Sequence, residues 1–234
     1  MSKPYYLQLK EVIQEKIEDG TYSPGKELPS ERQIAEHYGV HPHTTRAALK
    51  LLEKDGLLQL VPRRGAFVNL RRSEEDNTEL GFTLPGGKKG RRKRIVVQIR
   101  QAGPYYAKIF QVHPEEELYY VKRVVKEKKP LYMEELFVLK KNVPDFPELH
   151  PDIFSLSDIL AQKNVPITRT SQLLKICDAS KEVRKKLKLP EGSVVLHLER
   201  TDYDREGPVA FTKYYLRSED LAVEVKFKKT PIDE

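Results

Sequence analysis

The chain has 234 residues, long for one average domain and comfortable for two modest ones, and its 38% hydrophobic and 33% charged residues describe a soluble globular protein. A net charge of +7 and a pI of about 9.2 permit an anionic partner without naming one. The single cysteine, Cys177, excludes an intramolecular disulfide and a four-cysteine zinc site; no apolar run approaches the ~18 residues of a membrane span, and the N-terminus lacks a signal-type apolar core, so a cytoplasmic protein without a membrane partner is expected.

From Tyr5 to Asp19, Tyr6, Leu9, Ile13 and Ile17 recur at helical spacing, and Gly20 stops the helix. TYSPGKELP reads as a loop. Ser30 then stands three residues before Gln33, a capping box that opens a short helix with Ile34, Ala35 and Tyr38 inward and Gly39 as its end. A third helix is expected from about His41 and Pro42 to Asp55, since proline suits a first helical position, with Gly56 terminating it. Thr45, Ala48, Leu49 and Leu52 fall on one face of it, and His43, Arg46, Ala47 and Lys50 on the other. LLQLV and AFVNL read as strands around Pro62-Arg63-Arg64-Gly65, a turn carrying two cations.

Composition shifts after Leu70. The polar, Gly-containing stretch to Arg94 reads as a linker, within which GFTL is a candidate edge strand and the basic run from Lys88 to Arg94 an accessory phosphate contact or simply a solvated face. The expected domains are therefore 1–70, a linker at 71–94, and 95–234. The last contains an imperfect repeat: YYAKIFQVHPEEELYYVKRVVKEKKPLYMEELFVL parallels EVRKKLKLPEGSVVLHLERTDYDREGPVAFTKYYL. Each copy is a short helix, a Pro-Glu turn, a β-rich run, and a charged turn ending at Pro130 or Pro208 before another strand. Two such hairpins related by a pseudo-twofold give one antiparallel sheet with helices on one side, an α+β fold. SLSDILAQKN between them reads as a short amphipathic helix with Leu156, Ile159 and Leu160 inward, and Cys177 reads as an apolar core position.

Helix, turn, helix and basic-tipped hairpin, in that order, suit placement of a helix in the DNA major groove. His43, Thr44 and Arg46 lie in the first turns of the third helix, where side chains meet base edges, and Arg46 suits a bidentate contact to guanine. Lys50 extends that face. Ser30 and Arg32 begin the preceding helix, whose N–H groups favour an anion, and Arg63, Arg64 and Gly65 form the tip that follows the backbone or enters a minor groove. The bland alternative is a helical bundle with ordinary surface cations. His41 and His43, two residues apart without cysteine or acidic support, make a weak metal signal, so no metal is expected. The chain carries no GxSxG, Walker loop or HExxH, and neither a catalytic residue nor a cofactor is expected.

These motifs resemble the GntR family of bacterial transcription regulators, in its HutC branch: G-x-Y-x-P-G-x-x-LPSER-x-x-A, then V-x-x-x-T-x-R-x-AL, LxxxGL and a GxFV wing over residues 5–70. The C-terminal half, from about residue 80, is similar to the branch's ligand-sensing UTRA domain, which shares its fold with chorismate lyase. The resemblance implies a winged helix-turn-helix domain joined to an antiparallel-sheet effector-binding domain. It also implies a homodimer on a palindromic operator, usually a repressor released by a small metabolite. Arg32, Thr44, Arg46 and Gly65 match the family's DNA-contact positions, and Arg123, Glu134 and Ser155 its effector positions. Pro42 stands where many members carry arginine, and Arg63 replaces the first glycine of the wing tip. Val125 occupies the second place of an Arg-x-Arg pair, Ser157 stands for a common tyrosine, and Ala210 and Leu216 replace a Glu and a Tyr of sugar-phosphate sensors. A less charged ligand than a sugar phosphate, or no ligand, is the expectation that follows. An effector-free DNA binder and a lyase-like enzyme tethered to DNA are the competing readings.

Overall fold

The computed structural model describes residues 4–70, 91–126 and 129–217, among which the chain divides into two compact units. One lies within Met1–Ser73 and Glu148–Gln162, the other within Glu74–Pro147 and Lys163–Glu234.

In the first unit, α1 (Tyr5–Glu18), α2 (Glu31–Tyr38) and α3 (Pro42–Lys54) precede the hairpin of β1 (Leu58–Val61) and β2 (Gly65–Val68). The apolar positions at helical spacing converge. Leu9, Ile13 and Ile17 pack with Ile34, Ala48, Leu49, Leu52 and Leu58 in one core, whereas Tyr6, which shares their spacing, is exposed. Local chemistry fixes the ends. The Gln33 N–H donates to Ser30 Oγ and the Ser30 N–H to Gln33 Oε1, the reciprocal capping expected. Gly39, at φ 64°, closes α2 in the left-handed conformation that spares glycine a Cβ clash. His41 caps α3, its Nδ1 accepting from the His43 N–H, with Pro42 at the first helical position. Leu28 and Gly25 N–H groups donate to the Ala66 and Val68 carbonyls, flanking β2 on the side away from β1.

Glu148–Gln162 completes this unit. Its residues Leu149, Ile153 and Phe154 are buried, the Ile153 and Phe154 N–H groups donate to the His150 carbonyl, and α5 (Leu156–Gln162) follows with Ile159 and Leu160 buried and Leu156 half-buried.

The second unit holds, among the described residues, a six-stranded antiparallel sheet. Its order is β3 (Arg91–Gln101), β4 (Glu117–Lys126), β5 (Pro130–Leu139), β8 (Pro208–Arg217), β7 (Val194–Tyr203), β6 (Arg169–Asp178). The repeat is visible as β4–β5 and β7–β8 meeting at the β5–β8 seam, each hairpin preceded by a helix: α4 (Gly103–Phe110) and α6 (Lys181–Leu187). Both helices pack on one face, α4 against Leu118, Tyr120 and Phe137, α6 against Val124, Met133 and Val195. The fold is α+β. Each repeat is longer than the sequence pattern suggests, since β3 and β6 add an outer strand to each half. β3 takes up Arg91–Arg94, which lack the apolar alternation that marks a strand, because backbone pairing to β4 requires none. Cys177 has the apolar setting expected, packed half-buried at the margin of the α6 cluster on the outermost strand, and not fully buried. GFTL and Lys88–Gly90 lie outside the described residues.

Candidate nucleic-acid interface and effector face

The outer face of α3 is built by its inner one. With Thr45, Ala48, Leu49 and Leu52 buried, the helical period turns His43, Arg46 and Lys50 to solvent and leaves Thr44 and Ala47 half-buried. Arg46 does not project freely. Its Nη2 lies 2.7 Å and its Nε 2.9 Å from Glu31 Oε2, in the first turn of α2, and this carboxylate raises the guanidinium pKa. The pair ties the two helices across the turn while Arg46 stays 60% exposed, so water and ions screen it. Arg32, 85% exposed, pairs with Glu36 one turn along α2 at 2.8 Å. Ser30 is committed to its cap.

At the hairpin tip Pro62, Arg63 and Arg64 turn the chain between Val61 and Gly65. Arg63 has φ 66°, a left-handed backbone that a side chain occupies at a cost of about 1–2 kcal/mol. This gives a physical reason for the family's glycine at the position, and here the chain keeps an exposed cation instead. Gly65 is also at positive φ, 110°, and a Cβ there would meet the Glu27 carboxylate. Arg64 turns sideways: its Nη1 donates to Asp152 Oδ2, and its guanidinium lies 5.6 Å from the Phe67 ring centre. The structure thus presents His43, Arg46, Lys50, Arg32 and Arg63 on exposed surface, with Arg46 and Arg64 each holding a carboxylate.

Of the residues matched to effector positions, Arg123 and Glu134 meet. They are cross-strand partners on β4 and β5, Arg123 Nε donates to Glu134 Oε1, and both are buried, Arg123 to 3% exposure. They lie on the sheet face opposite α4 and α6, where Val125, Tyr132, Leu198, Tyr214 and Leu216 form an apolar cluster. Tyr214, paired with Glu134 across the β5–β8 seam, has its phenol pushed up to about 12 by burial, with Arg200 opposing. Thr212 Oγ1 is buried without a hydrogen-bond partner among the described residues. Ser155 belongs to the other compact unit, where its Oγ lies 2.5 Å from Asp158 Oδ2 and caps α5. An open groove of about 500 Å³ beside His113, Glu117 and Lys140 contains none of these residues.

Sequence reasoning missed Glu31 and Asp152, the partners of Arg46 and Arg64. Glu31 stands inside the LPSER motif, but a pairing across two helices has no periodic signal, and Asp152 is remote in sequence. Among the described residues no group of three or more His, Cys, Asp or Glu converges as for a metal ion, and no helix is long and apolar enough to cross a membrane.

Residues 5–68 match the family described as bacterial regulatory proteins, gntR family, and residues 86–222 match the UTRA domain. The uncharacterized HTH-type transcriptional regulator YurK of Bacillus subtilis is 28% identical over 222 residues, covering 92% of this chain and 91% of that protein. The probable fructoselysine utilization operon transcriptional repressor of Escherichia coli is 22% identical over 230 residues, 96% of this chain and 95% of its own. Among solved structures, the possible transcriptional regulator YydK of Bacillus subtilis superposes with a TM-score of 0.58 at 22% identity, covering 97% of this chain and all of that one. The C-terminal domain of the histidine utilization repressor of Pseudomonas syringae covers 60% of this chain and 99% of its own at 0.56 and 20%. Both share the fold.

Proposed function

The chain belongs to the GntR family of bacterial regulatory proteins, in its UTRA-bearing branch, and from that premise of a DNA-binding transcription regulator we propose how it acts. It works in the cytoplasm as a homodimeric repressor that grips a palindromic operator with two copies of α3 and the wing, and a small metabolite bound by the UTRA domain releases it. The supporting observation is the outer face of α3, where His43, Arg46 and Lys50 stand exposed on a helix whose other face is fully used by the core. Arg46 reads a base, trading its screened bond to Glu31 for a guanine edge. Arg32, Lys50 and Arg63 hold phosphates, and Thr44 and Gly65 allow close approach. The same proposal ends the DNA-binding domain near residue 70 and begins the effector domain with β3 at Arg91, while Glu148–Gln162 packs in the first unit. The named relatives are regulators, which supports this role over catalysis.

Selection of bound duplexes from a random-sequence library by the full chain tests this reading. An enriched inverted repeat is expected; an output no different from the input overturns it. One observation favours a second reading, a regulator without an effector. Arg123 is already matched by Glu134, and Val125, Ala210 and Leu216 are fully buried beside apolar neighbours. Thermal unfolding across a metabolite panel separates the two, because a ligand at 100 times its Kd adds about 2.7 kcal/mol.

A further inference from the structure

Four contacts join the hairpin and the loop before α2 to residues 148–153. Lys26 Nζ lies 3.9 Å from Glu148 Oε2, the Phe67 and His150 rings meet edge to face at 5.0 Å, Arg64 donates to Asp152, and Gln59 Nε2 reaches the Ile153 carbonyl at 3.5 Å. The segment that makes them is held by the two N–H donations to the His150 carbonyl and by buried Leu149, Ile153 and Phe154. Its sequence lies within the stretch matched to the UTRA domain, yet it packs in the unit of the winged helix.

The central contact is unequal. The Arg64 side chain is 41% exposed, whereas that of Asp152 is 8% exposed and its second oxygen, Oδ1, has no hydrogen-bond partner among the described residues. A buried carboxylate that loses its cation is left poorly solvated, so Asp152 holds Arg64 more firmly than an exposed pair would. Asp152 takes the Nη1 donor of Arg64 and offsets the positive charge that a phosphate would meet, so the pair weakens the cation as a DNA contact.

We propose that Arg64 and Asp152 form a latch that withholds the wing cation from DNA: in the closed state Asp152 occupies Arg64, and full operator affinity requires the pair to open. The proposal rests on the DNA-binding reading above. It adds that the chain restrains its own wing, so the measured affinity is the open-state affinity reduced by the fraction of molecules that are open.

The test uses the full chain and a duplex selected by the wild-type protein from a random library. Asp152→Asn keeps the side-chain shape, removes the charge and is expected to lower Kd about tenfold if about nine in ten molecules are latched. In an Arg64→Ala background the same substitution is expected to leave Kd unchanged, which a general effect of removing an acidic group near DNA would not produce. A second measurement does not depend on how well Asp152→Asn folds. Arg64→Lys protein treated with a carbodiimide is expected to form an amide between positions 64 and 152, found by mass spectrometry, and to lose it when the duplex is added. An Asp152→Asn protein that melts like wild type but binds no tighter, or a cross-link equally abundant in the DNA complex, overturns the latch and leaves DNA binding standing. Failure of the wild-type chain to select any duplex overturns the DNA-binding reading and the latch with it.

Discussion

Two arginines, one in each compact unit, hold carboxylates in opposite surroundings. Arg46 on α3 meets Glu31 in water, 60% exposed; Arg123 on β4 meets Glu134 with both side chains almost wholly buried. An exposed pair gains little because solvent competes for each partner, so Arg46 changes partners easily. A buried pair gains much from its own Coulomb attraction but has already given up its hydration, so removing one member leaves an uncompensated charge. The contrast separates a cation available for recognition from one built into the sheet. A ligand that engages Arg123 has to share or replace Glu134.

Salt should pull the two regions apart most strongly. If about six phosphates are neutralised, operator affinity falls about 10³-fold between 50 and 200 mM salt. The melting temperature should hardly move over that range, since buried charges are weakly screened; a melt that falls in step with affinity would contradict the division. Next in size, Arg123→Ala should lower unfolding stability by about 3–5 kcal/mol in urea titration, while Arg123→Met combined with Glu134→Leu should come out close to wild type. If the single and double variants are equally unstable, Arg123 matters for its packing and not its charge.

Arg46→Ala should reduce operator affinity by about 10-fold to 100-fold and relax preference at one base pair, measured by anisotropy on matched duplexes, with no loss of folded signal. Unchanged affinity and preference would place the reading helix elsewhere. The smallest effect concerns the wing tip. Arg63→Gly should stabilise the first unit by about 1 kcal/mol, relieving the left-handed backbone, and should also weaken DNA binding and flatten its salt dependence. A stability gain with DNA binding unaltered would remove Arg63 from the contact set.

Much of this architecture is legible in the chain because its signals are local. The 3.6-residue recurrence of Leu9, Ile13 and Ile17, the Ser30–Gln33 box and the proline after His41 each act over one or two helical turns, and the structure realises all three. The repeat was legible through its Pro-Glu and charged turns, which punctuate backbone whatever lies around it. Strand β6 was not, because an outer strand with half its pairing open leaves apolar residues exposed on both faces, and Leu173, Leu174 and Ile176 do not alternate with polar ones. For the candidate site, the face of α3 followed from helical geometry alone. The carboxylates did not: Glu31 reaches Arg46 between helices and Asp152 reaches Arg64 from a distant stretch of chain, contacts that only the packed fold creates.

The seam at the middle of the sheet bears on how the protein is made. β5 and β8 are the last strands of their respective repeats, and they join where Phe137 faces Phe211. No such pairing can form on a ribosome until the second repeat has left the exit tunnel, and closing so long a loop is slow. The core of the three N-terminal helices and their hairpin uses only residues up to Val68 and emerges first, with Glu148–Gln162 joining that unit later. A nascent chain should therefore acquire the fold of its DNA-reading helices well before the sheet is continuous.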